Sequence, residues 1–349
     1  MNPRRHSRSQ LEGFAWAEAD RFWAARTMRQ SKPVASRRLM GLLRRRQDTL
    51  VGRLTRFVYS NSYIADLGLH VFPIEKYSLV ARALRELHRI PQAAFVEPQP
   101  ATLDQLRRVH IDPYLDDLGH CRWTSRTWQS ELPISQEIVT LFVHACGGTI
   151  RAAELAMDER VAVHIGGGFH HAFADKAEGF CYLNDLAVAI REMQSRGAIQ
   201  RAMVIDCDLH QGNGTARIFQ NDSSVFTFSM HQRDLYPVKE ESTLDLHLEK
   251  GIRDDHYLSL MRSHIPKVLD EFQPDLILYQ AGADPFEEDQ LGDLKLTIEG
   301  LKERDKLVFE WAGTRGIPIA ATLGGGYAHN TADTVTIHVN TALTAWAAS

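Results

Sequence analysis

Residues 202–214 read Ala-Met-Val-Ile-Asp-Cys-Asp-Leu-His-Gln-Gly-Asn-Gly. The stretch starts apolar without alternating. That is the pattern of a strand covered on both faces, as in the parallel sheets of α/β proteins. Read as a strand over Ala202–Leu209, it ends in polar and glycine residues. Residues two apart share one face of an extended chain, so Asp206, Asp208 and His210 are expected to project together. Buried carboxylates are very costly without a cation. Zinc accepts carboxylate oxygen and imidazole nitrogen, and a catalytic site leaves one position open beside three protein ligands. A strand end fraying into solvent would carry the same letters, so support must come from elsewhere in the chain.

Outward from this stretch, short apolar runs alternate with helical patterns. Further strands are expected at Phe57–Ser60, Ala94–Val96, Val161–Ile165, Val225–Met230, Asp275–Gln280 and Ile317–Leu323. Helices are expected at Tyr77–His88, Gly147–Met157, Leu183–Ser195, Gly214–Gln220, Asp254–Glu271, Thr297–Thr314 and Asn330–Ala348. Alternation of this kind implies one α/β domain with a mostly parallel sheet and right-handed crossovers. In such sheets ligands gather beyond the carboxyl ends of the strands. The unusual residues fall there: His164–His171, Asp206–Asn213, Ser229–His231, Gly282–Asp284 and Gly324–Tyr327.

Asp284 follows an apolar strand and the small residues Ala281, Gly282 and Ala283, which makes it the best candidate for a third metal ligand. Taken alone it reads better as a turn or helix cap. Gly166-Gly167-Gly168 is followed by the pair His170 and His171. A tight glycine turn leaves room for a substrate, and imidazoles exchange protons near neutral pH, as a hydrolase requires of its acid and base. Gly324-Gly325-Gly326 precedes Tyr327, whose hydroxyl could donate to an oxyanion formed when water attacks an amide. Neither glycine run has the spacing of a dinucleotide fingerprint or a phosphate loop.

Composition limits the alternatives. In 349 residues the hydrophobic share is 44%, enough for a large core, and the net charge of −4 gives no reason to expect a nucleic-acid binder. Residues 1–50 differ, with twelve Arg or Lys against four Asp or Glu. This basic arm reads as a solvated extension, or as a nucleic-acid, membrane or targeting element. A short helix over Leu11–Met28 could carry Phe14, Trp16, Phe22 and Trp23. No secretory pattern is seen, and Glu12, Glu18 and Asp20 count against a transit peptide. No uninterrupted run of 18 apolar residues occurs, so no membrane span is expected. Cys121, Cys146, Cys181 and Cys207 are too few for a disulfide framework and suit a reduced, cytoplasmic compartment.

Read together, the chain from about Phe57 onward resembles the zinc-dependent histone deacetylase family, which includes bacterial acetoin-utilisation and acetylpolyamine amidohydrolase proteins. The likeness is carried by His164–Ala172, Gly179-Phe180-Cys181, Ile205–Gly214, Ala281–Asp284 and Gly324–Tyr327, in the family's order. The His-Gln-Gly-Asn-Gly form of residues 210–214 and Cys146-Gly147-Gly148-Thr149 look most like its class IV branch.

The resemblance implies an arginase/deacetylase fold: a three-layer αβα domain over residues 51–349 with about eight strands. It implies one zinc on Asp208, His210 and Asp284. It implies tandem histidines at His170 and His171, with His171 the stronger candidate for general base and acid. Asp206 would orient His170, and Tyr327 would polarise the acyl carbonyl. Gly179 and Phe180 would line the acyl-lysine tunnel, with Tyr236 and Leu291 as further wall residues. A potassium site would use Asp206, the backbone carbonyls of Asp208 and His210, and Ser229. The substrate would be an acylated lysine in a protein or an acylated small amine.

One position departs from the commoner family pattern. Where an Asp usually backs the second histidine of the pair, this chain has Asn213. An amide stabilises an imidazolium less than a carboxylate does, so a lower pKa is expected for His171 than in Asp-bearing relatives. An arginase-like ureohydrolase with two manganese ions would need more carboxylates than Gln211, Gly212 and Asn213 or Pro285 and Phe286 offer. A non-catalytic acyl-binding protein would have little need of metal ligands, His pair and Tyr together.

Overall fold

The computed structural model describes residues 55–348. The basic arm and its expected helix lie outside the described residues. A single eight-stranded sheet organises the fold: β1 (Arg56–Val58), β2 (Phe95–Val96), β3 (Val161–His164), β4 (Ala202–Asp206), β5 (Val225–Gln232), β6 (Leu244–Leu248), β7 (Leu276–Gln280) and β8 (Ile319–Thr322). The spatial order is β2-β1-β3-β8-β7-β4-β5-β6, and every pairing is parallel. The four central strands β3, β8, β7 and β4 are buried at every residue, which is why they read as unbroken apolar runs.

The edge strand β6 was absent from the expected strands. Its Leu-Asp-Leu-His-Leu alternates apolar and polar residues and is half exposed, so it lacks the apolar run that marks the interior strands.

The helices are α1 (Lys76–Glu86), α2 (Leu103–Leu106), α3 (Asp112–Gly119), α4 (Gln136–Glu159), α5 (Asp185–Ser195), α6 (Asn213–Phe219), α7 (Asp254–Phe272), α8 (Ile298–Thr314) and α9 (Thr331–Ala347). One core packs Ala156 of α4 and Ile190 of α5 against Val204, Leu278 and Ala320. A larger core packs Ile265 of α7, Val308 of α8 and Ile337 of α9 against Met203, Ile277 and Ile319. Successive strand residues therefore face opposite helical layers, giving the three-layer α/β architecture.

Helix α4 is longer than expected. It starts at Gln136, where the Ser135 side chain accepts from the Ile138 amide, and not at Gly147. Gly147 and Gly148 suggested a helix start, yet they sit mid-helix for packing reasons. A Cβ on Gly147 would strike the Gln99 carbonyl, and one on Gly148 would strike Tyr63 and His164. By length and composition α4 is apolar enough to cross a membrane, but 78% of its most apolar window is buried inside the domain. It is the central helix of this core.

The sheet also sets up the site. At the carboxyl edge, His164, Thr322, Gln280, Asp206 and Ser229 stand in one register row across β3, β8, β7, β4 and β5. All are buried. Below this polar row the residues of β3, β4 and β8 are apolar.

Candidate metal centre and active site

Strand β4 stops at Asp206, earlier than the expected Leu209, and the reason is local. The Asp208 amide donates to Asp206 Oδ1 (3.2 Å), and the His210 amide donates to Asp208 Oδ1 (3.0 Å). These side-chain-to-backbone bonds curl the chain and compete with the strand ladder. Asp206, Asp208 and His210 thus do not share a strand face as expected. Asp206 turns toward His170, while Asp208 and His210 turn toward Asp284.

Asp208, His210 and Asp284 each offer a ligand atom, and these atoms all lie within 4.8 Å of one another. His210 Nδ1 stands 3.3 Å from Asp208 Oδ1 and 3.2 Å from Asp284 Oδ2. Asp284 is no simple cap: its other oxygen accepts from the Leu209 amide at 2.9 Å, tying the loop after β7 to the loop after β4. Burial and the adjacent Asp208 carboxylate push Asp284 up to about 7. Burial opposes charge on His210 as well, but the two carboxylates outweigh it and lift the ring to about 10. Two buried carboxylates around an imidazole nitrogen call for a cation, and the set of two oxygens and one nitrogen fits zinc with a position left open.

Residues behind these donors hold them in place. Asp208 Oδ2 accepts from the Gly325 amide (3.1 Å) and the Gln280 amide nitrogen (3.2 Å). Arg304 on α8 is fully buried, pairs with Asp305, and donates to the carbonyls of Cys207 (3.2 Å) and Gly282 (2.7 Å). One guanidinium therefore grips both ligand-bearing loops from beneath.

The histidine pair stands beside the same point. Asp185 accepts from the amides of Gly168 (3.0 Å) and Phe169 (2.7 Å), which anchors the glycine turn after β3. His170 Nδ1 lies 2.7 Å from Asp206 Oδ2, and its Nε2 lies 3.1 Å from His171 Nε2. Burial pulls His170 down, yet Asp206 and Asp208 hold it at about 9. His171 goes the other way, well below the ordinary range, first through burial and then through the neighbouring rings of His170 and His210. Its Nδ1 meets Asn213 Oδ1 at 2.8 Å, a bond that works against that depression.

Tyr327 completes the set. Its amide donates to Asp289 (2.7 Å), and burial drives its hydroxyl well above the usual phenol range, so it stays a donor. Lys76 of α1, buried completely, donates to the Gly324 carbonyl at 2.8 Å and lies 5.4 Å from the Tyr327 ring. Lys76, Gln280, Asp289 and Arg304 were not anticipated. Gln280 had a usable signal, a lone polar residue closing an apolar strand as Asp206 does; Lys76 and Arg304 sit in helices where a cation reads as solvated.

A narrow cavity joins these groups, lined by His170, His171, Asp208, His210, Tyr327 and the mouth residues Gly179 and Phe180. Phe180 adopts φ +63°, and its ring faces Phe72 nearly parallel at 6.3 Å. Phe72 also lines the cavity and was not expected. Tyr236 was expected as a wall residue but is not among the lining residues; its ring packs edge-on against His171 at 5.5 Å. Leu291 is not among the lining residues; its amide closes a turn onto Asp289 instead. Ser229 pairs in register with Asp206, and its hydroxyl lies 2.9 Å from His231 Nδ1. A roomier hollow of about 580 Å³ lies around Arg160, Asp275, Arg315 and Pro318, away from all of these groups.

The eight-stranded parallel sheet and its helical layers are those of the arginase/deacetylase superfamily. Residues 70–343 match the histone deacetylase domain, and the chain belongs to the histone deacetylase family, whose members are zinc-dependent hydrolytic deacetylases acting on amide bonds. It is 40% identical over 286 residues to an uncharacterised protein of Picosynechococcus sp., covering 80% of this chain and 95% of that one. It is 33% identical over 290 residues to histone deacetylase 2 of Arabidopsis thaliana, covering 79% and 75%. Among solved structures, a histone deacetylase homologue complexed with SAHA superposes with a TM-score of 0.72 at 26% identity, covering 82% of this chain and 83% of that one.

Proposed function

We propose that this chain is a zinc-dependent deacylase that hydrolyses the acyl-amide bond of acylated lysine. One observation carries the reading: Asp208 and His210 line one narrow cavity with a buried histidine pair and Tyr327, and Asp284 converges on the same two residues from behind. Bound there, zinc would supply Lewis acidity toward the acyl oxygen and the attacking water. Asp206 holds His170 protonated and oriented. His171 is neutral and accepts the proton that water gives up. The departing amine takes a proton from the same pair. The Tyr327 hydroxyl donates to the oxygen on which negative charge develops. Phe72 and Phe180 flank the slender alkyl stem of the substrate and keep water from it.

Among the described residues, Asp208, His210 and Asp284 form the one cluster of three converging donors, which supports one ion over the two of a ureohydrolase. A potassium ion is proposed on Asp206, the carbonyls of Asp208 and His210, and Ser229. The Asp206–Ser229 register supports it. The sequence of residues 210–214 favours the class IV branch, for which longer acyl chains are the expected substrates.

The test is a panel of acyl-lysine peptides of increasing acyl length and acylpolyamines, each with and without a chelator. Chelator-sensitive turnover of the peptides supports the reading. Turnover of the polyamines alone would move the substrate to acylated small amines.

A further inference from the structure

We propose that Glu178 is a positioning residue that sets the tautomer of His171 through the side-chain amide of Asn213. The inference rests on the deacylase reading and adds to it a residue that the resemblance does not assign.

Asn213 is buried between two partners. Its Oδ1 lies 2.8 Å from His171 Nδ1, and its Nδ2 donates to Glu178 Oε1 at 2.9 Å. A side-chain amide has a donor end and an acceptor end of nearly the same shape, whereas an ionised carboxylate only accepts. Glu178 therefore decides which end of Asn213 faces which neighbour. With Nδ2 committed to Glu178, the carbonyl must face His171, and His171 Nδ1 must carry the proton. Its Nε2 is then a lone pair, facing His170 Nε2 at 3.1 Å and the reacting centre. The reversed amide would put a donor against Nδ1 and favour the imidazole proton on Nε2, where it would face His170 Nε2 at 3.1 Å and displace the proton held there, removing both the base and its charged partner. A carboxylate at 213 would have no such ambiguity, so an Asn at this place depends on an acceptor behind it.

The rest of the turn fixes Glu178. Lys176 Nζ pairs with its other oxygen at 2.6 Å and donates to Gln129 Oε1 at 3.1 Å. The Glu178 amide and carbonyl both bond to Cys181, closing the turn that presents Gly179 and Phe180 to the mouth. Lys176, Glu178, Asn213, His171 and His170 thus form one continuous chain of polar contacts from near the surface to the site.

The test compares Glu178→Ala, Glu178→Gln, Asn213→Asp and the double variant Glu178→Ala/Asn213→Asp, as zinc-loaded protein, on an acyl-lysine peptide that the wild type turns over. Glu178→Ala is expected to lose on the order of 10-fold in kcat with KM unchanged, as is usual for partners one layer behind a site. Glu178→Gln keeps one acceptor oxygen; Lys176, partly exposed, retains Gln129 as an acceptor and leaves that oxygen to Asn213, so this variant should keep most of the activity. In the Asn213→Asp background, removing Glu178 should cost nothing or restore activity, because two facing carboxylates are relieved. In 15N-histidine spectra, His171 should carry its proton on Nδ1 in the wild type and in Glu178→Gln, and shift toward Nε2 in Glu178→Ala. Equal losses in both backgrounds, a change in KM alone, or a wild-type His171 protonated on Nε2 would overturn the proposal. The spectra decide it even if Glu178→Ala does not fold. They also separate it from the deacylase reading, which alone falls if the wild type hydrolyses no acyl amide.

Discussion

The Nδ1 of His170 lies 2.7 Å from Asp206 Oδ2, with both side chains buried. Burial alone would deprotonate this ring; Asp206 and Asp208 hold it at about 9. Asp206→Asn keeps the shape and removes the charge. Its kcat should fall on the order of 10–100-fold. The alkaline limb of its pH–rate profile should move to lower pH, because the ring now gives up its proton more readily. An unchanged alkaline limb would contradict the pairing.

Metal uptake should release protons. His210 is held at about 10 and Asp284 at about 7 in the metal-free protein, and ligands must be deprotonated to bind zinc. Both values are raised above those of the unfolded chain. Their stabilisation is therefore fully present at low pH and is lost as pH rises through 7 and then 10. Asp208 has the opposite sign, but its titration lies in the acid range, outside this window. The rise in melting temperature that zinc brings should therefore grow between about pH 6 and about pH 10, because zinc displaces protons that the metal-free site still holds. Calorimetry in buffers of different ionisation enthalpy should show net proton release at pH 8, and proton-neutral binding would contradict this.

Tyr327→Phe removes the hydroxyl proposed to donate to the oxyanion. It should retain zinc and lose about 10²–10³ in kcat. Full activity would remove Tyr327 from the mechanism.

Much of this site was legible in residues 202–214 alone, and the limits of that reading are physical. Interior strands reveal themselves because both faces are buried, so β3, β4, β7 and β8 appear as apolar runs and their polar last residues stand out. The motifs at 166–171, 281–284 and 324–327 were recognisable because they sit at those ends. Edge strand β6 and the first turns of α4 escaped because half-exposed alternation and mid-helix glycines mimic other structure. Lys76, Arg304 and Glu178 escaped for a different reason. A charged residue in a helix or turn looks solvated until tertiary packing shows what it faces.

The mouth is tightly fitted at Gly179, where φ is +50° and an added Cβ would meet both the His171 ring and the Tyr236 hydroxyl at 2.7 Å. Gly179→Ala should therefore displace His171 and narrow the entrance. We expect a loss in kcat/KM on the order of 10-fold or more with zinc content unchanged. Wild-type kinetics in this variant would show that the entrance lies elsewhere.

The most direct test of the metal centre is metal analysis of purified wild type beside Asp284→Ala. One zinc per chain in the wild type, lost in the variant, is the result that convergence of Asp208, His210 and Asp284 predicts. Equal zinc in both proteins, or a wild type that binds no divalent metal after incubation, would contradict it.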